Sequence, residues 1–318
     1  MSISSTTKNI LLAVVISAVM IFSATLVSAD SVSTSVTVGN ATPSISSVSV
    51  NSGSNITLTE GIITVATTTL TVTDTNGCGE IFAVTLDFYR SGITATGCDT
   101  SGESDNNNCY AQVTCVVLDS NTCDGGSDTS AAYGCGVPIQ YYADPTDTGS
   151  FSAQNWVATL KAGDGTATST DSTGTTEINT LQALDVTASI AYGTLAAGSD
   201  SADQNSTTTV TNTGNVDMDP QLSGTNMTSG GDTLTVGNQE YDADPFVYSA
   251  GTDLSTTPTY INITLPQPTN DGNPTTTDTI SWGLGVPPAT AAGTYTGTNT
   301  ITSRNCPVVS KLPIREEY

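Results

Sequence analysis

Ile62-Ile63-Thr64-Val65-Ala66-Thr67-Thr68-Thr69-Leu70-Thr71-Val72-Thr73 is flanked by Gly61 and by the turn residues Asp74-Thr75-Asn76-Gly77. Threonine and aliphatic side chains alternate along it, so one face suits a core and the other water, and β-branched residues favour the extended backbone. Short runs of the same kind, bounded by Gly, Asn, Asp and Pro, recur at 45–50, 56–59, 81–89, 110–118, 137–142 and 156–161. They return at 183–192, 207–212, 221–223, 233–236, 260–265, 279–284 and 295–301. Helix signals are almost absent after residue 29, so the chain reads as all-β.

Each half supplies about seven strands over a little more than a hundred residues, the size of an immunoglobulin-like sandwich. The expected architecture is two tandem immunoglobulin-like β-sandwiches after an N-terminal signal segment. Residues 1–29 read as a signal peptide, 30–43 as an N-terminal strand or linker, 44–178 as a disulfide-containing sandwich, 181–303 as a second sandwich and 304–318 as a tail. The polar stretch 166–180, without bulky apolar residues until Ile178, cannot bury a core and reads as an edge strand, a linker or both. Residues 31–38 place Val32, Val36 and Val38 among polar neighbours ahead of the first sandwich. They could fold back as an edge strand, or add to the sheet of a neighbouring molecule.

Lys8, the apolar stretch 10–27 and Val27-Ser28-Ala29 have the form of a secretory signal cleaved after Ala29; the alternative is an uncleaved membrane anchor. Export suits Cys78, Cys98, Cys109, Cys115, Cys123 and Cys135, which crowd together with no Cys-x-x-Cys spacing. That argues against a zinc or thioredoxin-like site and favours disulfides among the six, with their connectivity open. Cys115 shares strand parity with Val113 and Val117, and Cys135 with Val137 and Ile139, so both should face the core as a pair. Cys306 stands apart in the tail.

Chemistry is narrowed by what the sequence lacks. It has no histidine, and between residues 30 and 303 its only basic side chains are Arg90 and Lys161, against every carboxylate of the chain except Glu316 and Glu317. Without imidazole there is no Ser-His or Cys-His nucleophile pair and no His metal ligand. A net charge of −24 repels nucleic acid and anionic bilayers, so membrane contact is expected only through an uncleaved N-terminal segment. Asp147-Thr148-Gly149-Ser150 spells the turn of aspartic proteases, but that chemistry needs a second copy, which is missing. The same residues read better as a corner turn, echoed by Ala291-Ala292-Gly293-Thr294-Tyr295. No enzyme activity and no cofactor other than calcium is expected.

Acidic loops are the remaining site candidates. Asp74, Asn76 and Glu80 put oxygen side chains around a tight turn, as a hard cation such as calcium prefers, although Asp and Asn are also ordinary turn residues. Asp217 with Asp219, Asp242 with Asp244, and Asp119 with Asp124 and Asp128 are shorter versions. Asn40, Asn55, Asn205, Asn226 and Asn262 each begin an Asn-x-Ser/Thr glycosylation acceptor. Tyr141, Tyr142, Phe151 and Trp156, and again Tyr241, Phe246 and Tyr248, could form a sugar-binding face, while core packing is the commoner fate of such rings.

Thr209-Val210-Thr211-Asn212-Thr213-Gly214-Asn215-Val216-Asp217 resembles the Val-x-Asn-x-Gly strand-turn of repeated immunoglobulin-like modules in prokaryotic surface proteins. Ala292-Gly293-Thr294-Tyr295-Thr296-Gly297-Thr298 resembles their closing strand. The resemblance covers mainly residues 183–303. It implies an exported sandwich used for spacing, adhesion or assembly and carries over no functional residues. The leading expectation is therefore a secreted or cell-surface structural or adhesion protein, with other surface proteins or its own copies as partners. The alternative is an extracellular glycan- or calcium-binding module.

Overall fold

The computed structural model describes residues 30–99, 105–118, 123, 127–187, 189–269 and 276–305. The leader, Cys306, most of the tail, Asp119 and Asp124 lie outside the described residues. The chain divides into two units, 1–39 and 40–318. In the first, residues 30–39 have no secondary structure, and Val32, Val36 and Val38 are 84%, 87% and 77% exposed.

The second unit holds two tandem immunoglobulin-like β-sandwiches. Strands β1 (Ser44–Val50), β2 (Thr64–Thr73), β3 (Ala83–Arg90), β4 (Cys109–Thr114), β5 (Val116–Val117), β6 (Ser130–Ile139), β7 (Trp156–Gly163) and β8 (Thr168–Thr176) form two four-stranded sheets. Their orders are β1-β2-β6-β5 and β4-β3-β7-β8, and every pairing is antiparallel. Along β2 the alternation works as the sequence requires: Ala66, Thr68, Leu70 and Val72 are buried, while Val65 and Thr67 face out. Opposing faces meet around Leu70, Leu86, Ile139 and Leu160, with the Trp156 ring stacked on Phe88 at 5.1 Å. Each fully buried aliphatic or aromatic side chain contributes about 1.5–3 kcal/mol.

Further strands are β9 (Leu184–Val186), β10 (Ser206–Asn212), β11 (Met218–Gly224), β12 (Met227–Ser229), β13 (Asp232–Leu234), β14 (Gln239–Asp242), β15 (Thr252–Asp253), β16 (Thr259–Tyr260), β17 (Thr277–Leu284) and β18 (Asn299–Asn305). They pair as β15-β14-β17-β10-β9 and β16-β11-β18, with β12-β13 a separate hairpin. Trp282 centres this core against Tyr241, Val210, Leu222 and Ile280, and its indole N–H donates to Thr208 Oγ1 at 2.8 Å. Trp156 likewise donates to the Asp144 carbonyl at 2.9 Å. Each sandwich thus buries a tryptophan whose polar atom is satisfied, as burial of an indole demands.

Several sequence expectations need correction. The single strand expected at 110–118 is two strands: β4 joins β3 in one sheet and β5 joins β6 in the other. A left-handed residue at Gln112 (φ 52°) and a register shift between Leu86 and Phe88 mark the bend, and Cys115 sits where the chain changes sheets. Parity therefore fails beyond it, leaving Val117 40% exposed. The strand expected at 56–59 is one bridge, Ile56 to Ile178. Among the described residues of 183–192 the strand is limited to Leu184–Val186, and the strand expected to open at Tyr295 opens at Asn299. The polar stretch 166–180 contributes β8, an edge strand.

Cys78–Cys123, Cys98–Cys109 and Cys115–Cys135 are disulfide-bonded. The last ties the sheet crossing to β6, with Cys115 and Cys135 both buried. Replacing both by Ala is expected to cost about 2–4 kcal/mol, read as a lower guanidinium midpoint with the slope nearly unchanged. An unchanged midpoint would show that the crossing holds without the bond.

Candidate functional site

Where the sandwiches meet, side-chain amides bind backbone carbonyls across the joint. Asn215 Nδ2 donates to the carbonyls of Ala143 and Asn179 at 3.0 and 3.1 Å, while its Oδ1 accepts the Leu181 N–H at 2.6 Å. Asn107 Nδ2 donates to the carbonyls of Tyr142 and Pro268 at 2.9 and 2.8 Å. Gln267 Nε2 donates to the Tyr142 carbonyl at 2.8 Å and to Asp144 Oδ1 at 3.1 Å. Asn107 and Asn215 are buried, so each bond forms away from competing water.

The Asn212-Thr213-Gly214-Asn215 turn positions these groups. Asn212 Oδ1 accepts the Gly214 N–H at 2.9 Å, and its Nδ2 donates to the carbonyls of Val216 and Pro266. A Cβ on residue 214 would lie 2.3 Å from the Leu181 carbonyl oxygen, so glycine there is a matter of close approach. The strand-turn that resembles surface-protein modules is thus the joint between sandwiches.

Asp144 anchors the other side. Arg90 Nε pairs with its Oδ2 at 2.8 Å, the guanidinium lies 3.8 Å from the Phe151 ring centroid, and Gln154 Oε1 accepts from Arg90 Nη1. Burial lifts the Asp144 carboxyl above the ordinary aspartate value, although Arg90 and Gln267 pull it down. Lys161 pairs with buried Asp87 at 2.9 Å. Both basic side chains between residues 30 and 303 are therefore committed to buried carboxylates.

The acidic loops are also occupied by structure. Asp74 is buried, with Oδ1 accepting the Asn76 N–H at 2.9 Å and Oδ2 buried without a hydrogen-bond partner. Asn76 Oδ1 accepts the Ala41 N–H, and Glu80 is exposed. Asp217 accepts the Gln267 N–H, Asp219 accepts from Thr264 Oγ1, and Asp242 faces the Asp244 N–H at 3.4 Å. The Asp128 carbonyl accepts the Cys78 N–H at 2.8 Å. Among the described residues no group of three or more His, Cys, Asp or Glu is arranged to hold a metal ion. Asp147 Oδ1 accepts both the N–H and the hydroxyl of Thr180, so the protease-like turn is a structural corner.

Tyr142, Trp156 and Tyr241 lie in the interior, while Tyr141, Phe151, Phe246 and Tyr248 are half-buried. Of the glycosylation acceptors, Asn262 is exposed, whereas Asn205 has its side-chain nitrogen buried. Asn40 donates to Asp164, Asn55 to Glu177 and Asn179, and Asn226 accepts the Val236 N–H.

Sequence reasoning missed an open seam in the second sandwich. Two cavities of about 750 and 390 Å³ share Ile190, Tyr192, Met227 and Tyr295, forming one groove between the chain that follows β9 and the chain that leads into β18. Buried Gln239 lines the second cavity; its Oε1 accepts from Tyr192 Oη and Asn299 Nδ2, both at 2.9 Å, and its Nε2 is buried without a partner. Burial pushes the Tyr192 phenol well above its ordinary range, so it stays a neutral donor. The available signal was indirect: strand-like alternation at 183–192 and 295–301 that runs beyond the paired parts, Leu184–Val186 and the stretch from Asn299 onward.

No protein-family model matches the chain, and no curated protein matches it. Among solved structures it is similar to a chaperone–tip adhesion subunit pre-assembly complex from archaic chaperone-usher Csu pili of Acinetobacter baumannii. Identity there is 12%, over 79% of this chain and 96% of the matched chain, with a TM-score of 0.33. It is also similar to a chaperone–tip adhesin complex of CFA/I fimbriae, at 11% identity over 80% of this chain and 78% of that one, with a TM-score of 0.29. At these scores the likenesses carry no argument about the fold, ligand or partner of this chain.

Asn215→Ala should leave the Leu181 N–H and two carbonyls unpaired and cost roughly 2–4 kcal/mol. Gly214→Ala should cost about 1–3 kcal/mol through the enforced backbone shift. Small-angle scattering should show both variants as a broader distribution of extents; an unaltered profile at wild-type stability would remove the joint from the account. For Asp144, a raised folded-state pKa means the folded chain holds that proton more tightly than the unfolded one. The stability from this group is full below the ordinary aspartate value and lost as pH rises through the raised one. Asp144→Asn is expected to flatten that limb of the stability–pH profile; an unchanged limb would show that Asp144 titrates normally.

Proposed function

We propose that this chain is a secreted or cell-surface structural and adhesion protein, a two-sandwich scaffold that assembles through its strand edges. The observation that carries the reading is the joint. Amide side chains from one sandwich close on the main-chain carbonyls of the other, which makes a stiff spacer. A spacer needs fixed geometry and no reacting group, and the side chains fit that need. Arg90 and Lys161 neutralise buried carboxylates, aspartates cap turns, and the largest rings fill cores.

Disulfides and hydroxyl-rich strand faces suit an oxidising, exposed setting. Among the described residues no helix is long and apolar enough to cross a membrane. Strand edges remain for partners, since β5, β8, β9 and β18 end their sheets.

The expected outcome is that the purified protein forms oligomers or polymers that grow with concentration, seen by size exclusion with light scattering and by electron microscopy. The protein should also fractionate with the cell envelope. A chain that stays monomeric at high concentration and binds glycans on an array would replace the scaffold with the binding-module reading.

A further inference from the structure

We propose that residues 31–38 of one copy enter the open seam in the second sandwich of another copy as an added strand. The proposal rests on the scaffold reading and deepens it by naming the edge and its occupant.

The seam lacks what a sandwich normally supplies at such a place. Among the described residues, no main-chain N–H or carbonyl from 189 to 195, nor from 291 to 295, pairs with another backbone group. The Ala191 and Ala291 carbonyls accept from the Ser206 and Tyr295 hydroxyls, and the other main-chain groups of both walls are left as donors and acceptors for a short strand. In the floor, Gln239 Nε2 is a buried donor with no acceptor, and a carbonyl of an inserted strand would satisfy it. Ile190, Tyr192, Leu195, Met227 and Val286 give the seam half-buried apolar side chains beside uncharged polar groups such as Thr194 and Thr290.

Residues 31–38 have the complementary properties. They contain no secondary structure, and Val32, Val36 and Val38 project into solvent. All three have the same parity, so in an extended strand they line one face with Thr34, while Ser33, Ser35 and Thr37 line the other. An apolar face toward the lining and a hydroxyl face toward water is what a bound edge strand requires.

Charge points the same way. In a chain of net charge −24, neither the seam lining nor residues 31–38 contain Asp, Glu, Lys or Arg. Two such acidic molecules repel over most of their surfaces, and a neutral segment meeting a neutral groove is the contact that repulsion opposes least. A second copy is the favoured source because every copy carries both parts, which yields head-to-tail growth.

The test uses the full chain with two variants, each checked for folding by circular dichroism. Val36→Asp disables the segment, and Leu195→Asp disables the seam; Thr194→Glu, at an exposed wall position, replaces the latter if it does not fold. Each variant alone should be monomeric, and an equimolar mixture should stop at dimers. A fluorescent peptide of residues 30–40 should bind the Val36→Asp chain and not the seam variant, and the same peptide carrying Val36→Asp should bind about 100-fold more weakly. If wild-type chains polymerise but Val36→Asp chains do so equally, or the peptide binds both variants alike, the proposal falls and the scaffold reading stands on another edge. If wild-type chains stay monomeric while the peptide binds only the Val36→Asp chain, each seam is filled by its own segment and the second-copy assignment falls. If nothing assembles and no peptide binds, both readings fail.

Discussion

Amide side chains bonded to buried main-chain carbonyls at the joint are the constraint on which the rest depends. A β-sandwich closes on itself, and two of them in sequence would ordinarily be joined by a loop that leaves their orientation free. Here Tyr142 and Ala143 are buried and Asn179 is half-buried, and Asn107, Asn215 and Gln267 supply donors to their carbonyls from the right distance. Losing one donor strands its acceptors, so the penalty falls on any swing of one sandwich against the other. Contacts of this kind hold the free edges of the two sandwiches in set directions.

Charge scarcity follows from the same economy. The carboxylates of Asp74, Asp105, Asp164, Asp171 and Asp200 each accept the N–H two residues ahead, the bond that closes an Asx-turn. With so many short strands the chain needs many turns, and aspartate serves them while raising the net negative charge. Basic residues are spent where a buried carboxylate would otherwise be uncompensated: Arg90 on Asp144 and Lys161 on Asp87. At these five Asx-turn positions the carboxylate serves turn chemistry.

Much of the fold was legible because its signals are local. Alternation along β2 and β10 gave both the strands and their buried faces, and the parity of Cys115 and Cys135 pointed at residues the structure brings together. The reading failed where a tertiary event intervened. At Cys115 the chain leaves one sheet for the other, and no period in the sequence marks that step beyond the bend at Gln112. The joint was hidden for a related reason: Asn107 lies outside every expected strand and Asn215 in a strand-turn, and only the fold sets them against carbonyls distant in sequence.

The most instructive failures are 183–192 and 295–301. Both carry strand-like alternation, and the structure pairs only part of each, Leu184–Val186 and the stretch from Asn299 onward. Local preference and tertiary structure usually agree, and their disagreement tends to concentrate where function has been built in. Here the chain after the first ladder and the chain before the Thr228–Thr296 bridge line one seam, which Gln239 also lines with a buried, unpartnered amide nitrogen. Sequence with strand-like alternation that is left outside the ladders is what the proposed half-site requires. On the proposed added-strand contact, main-chain groups left without backbone partners would find them in the incoming strand.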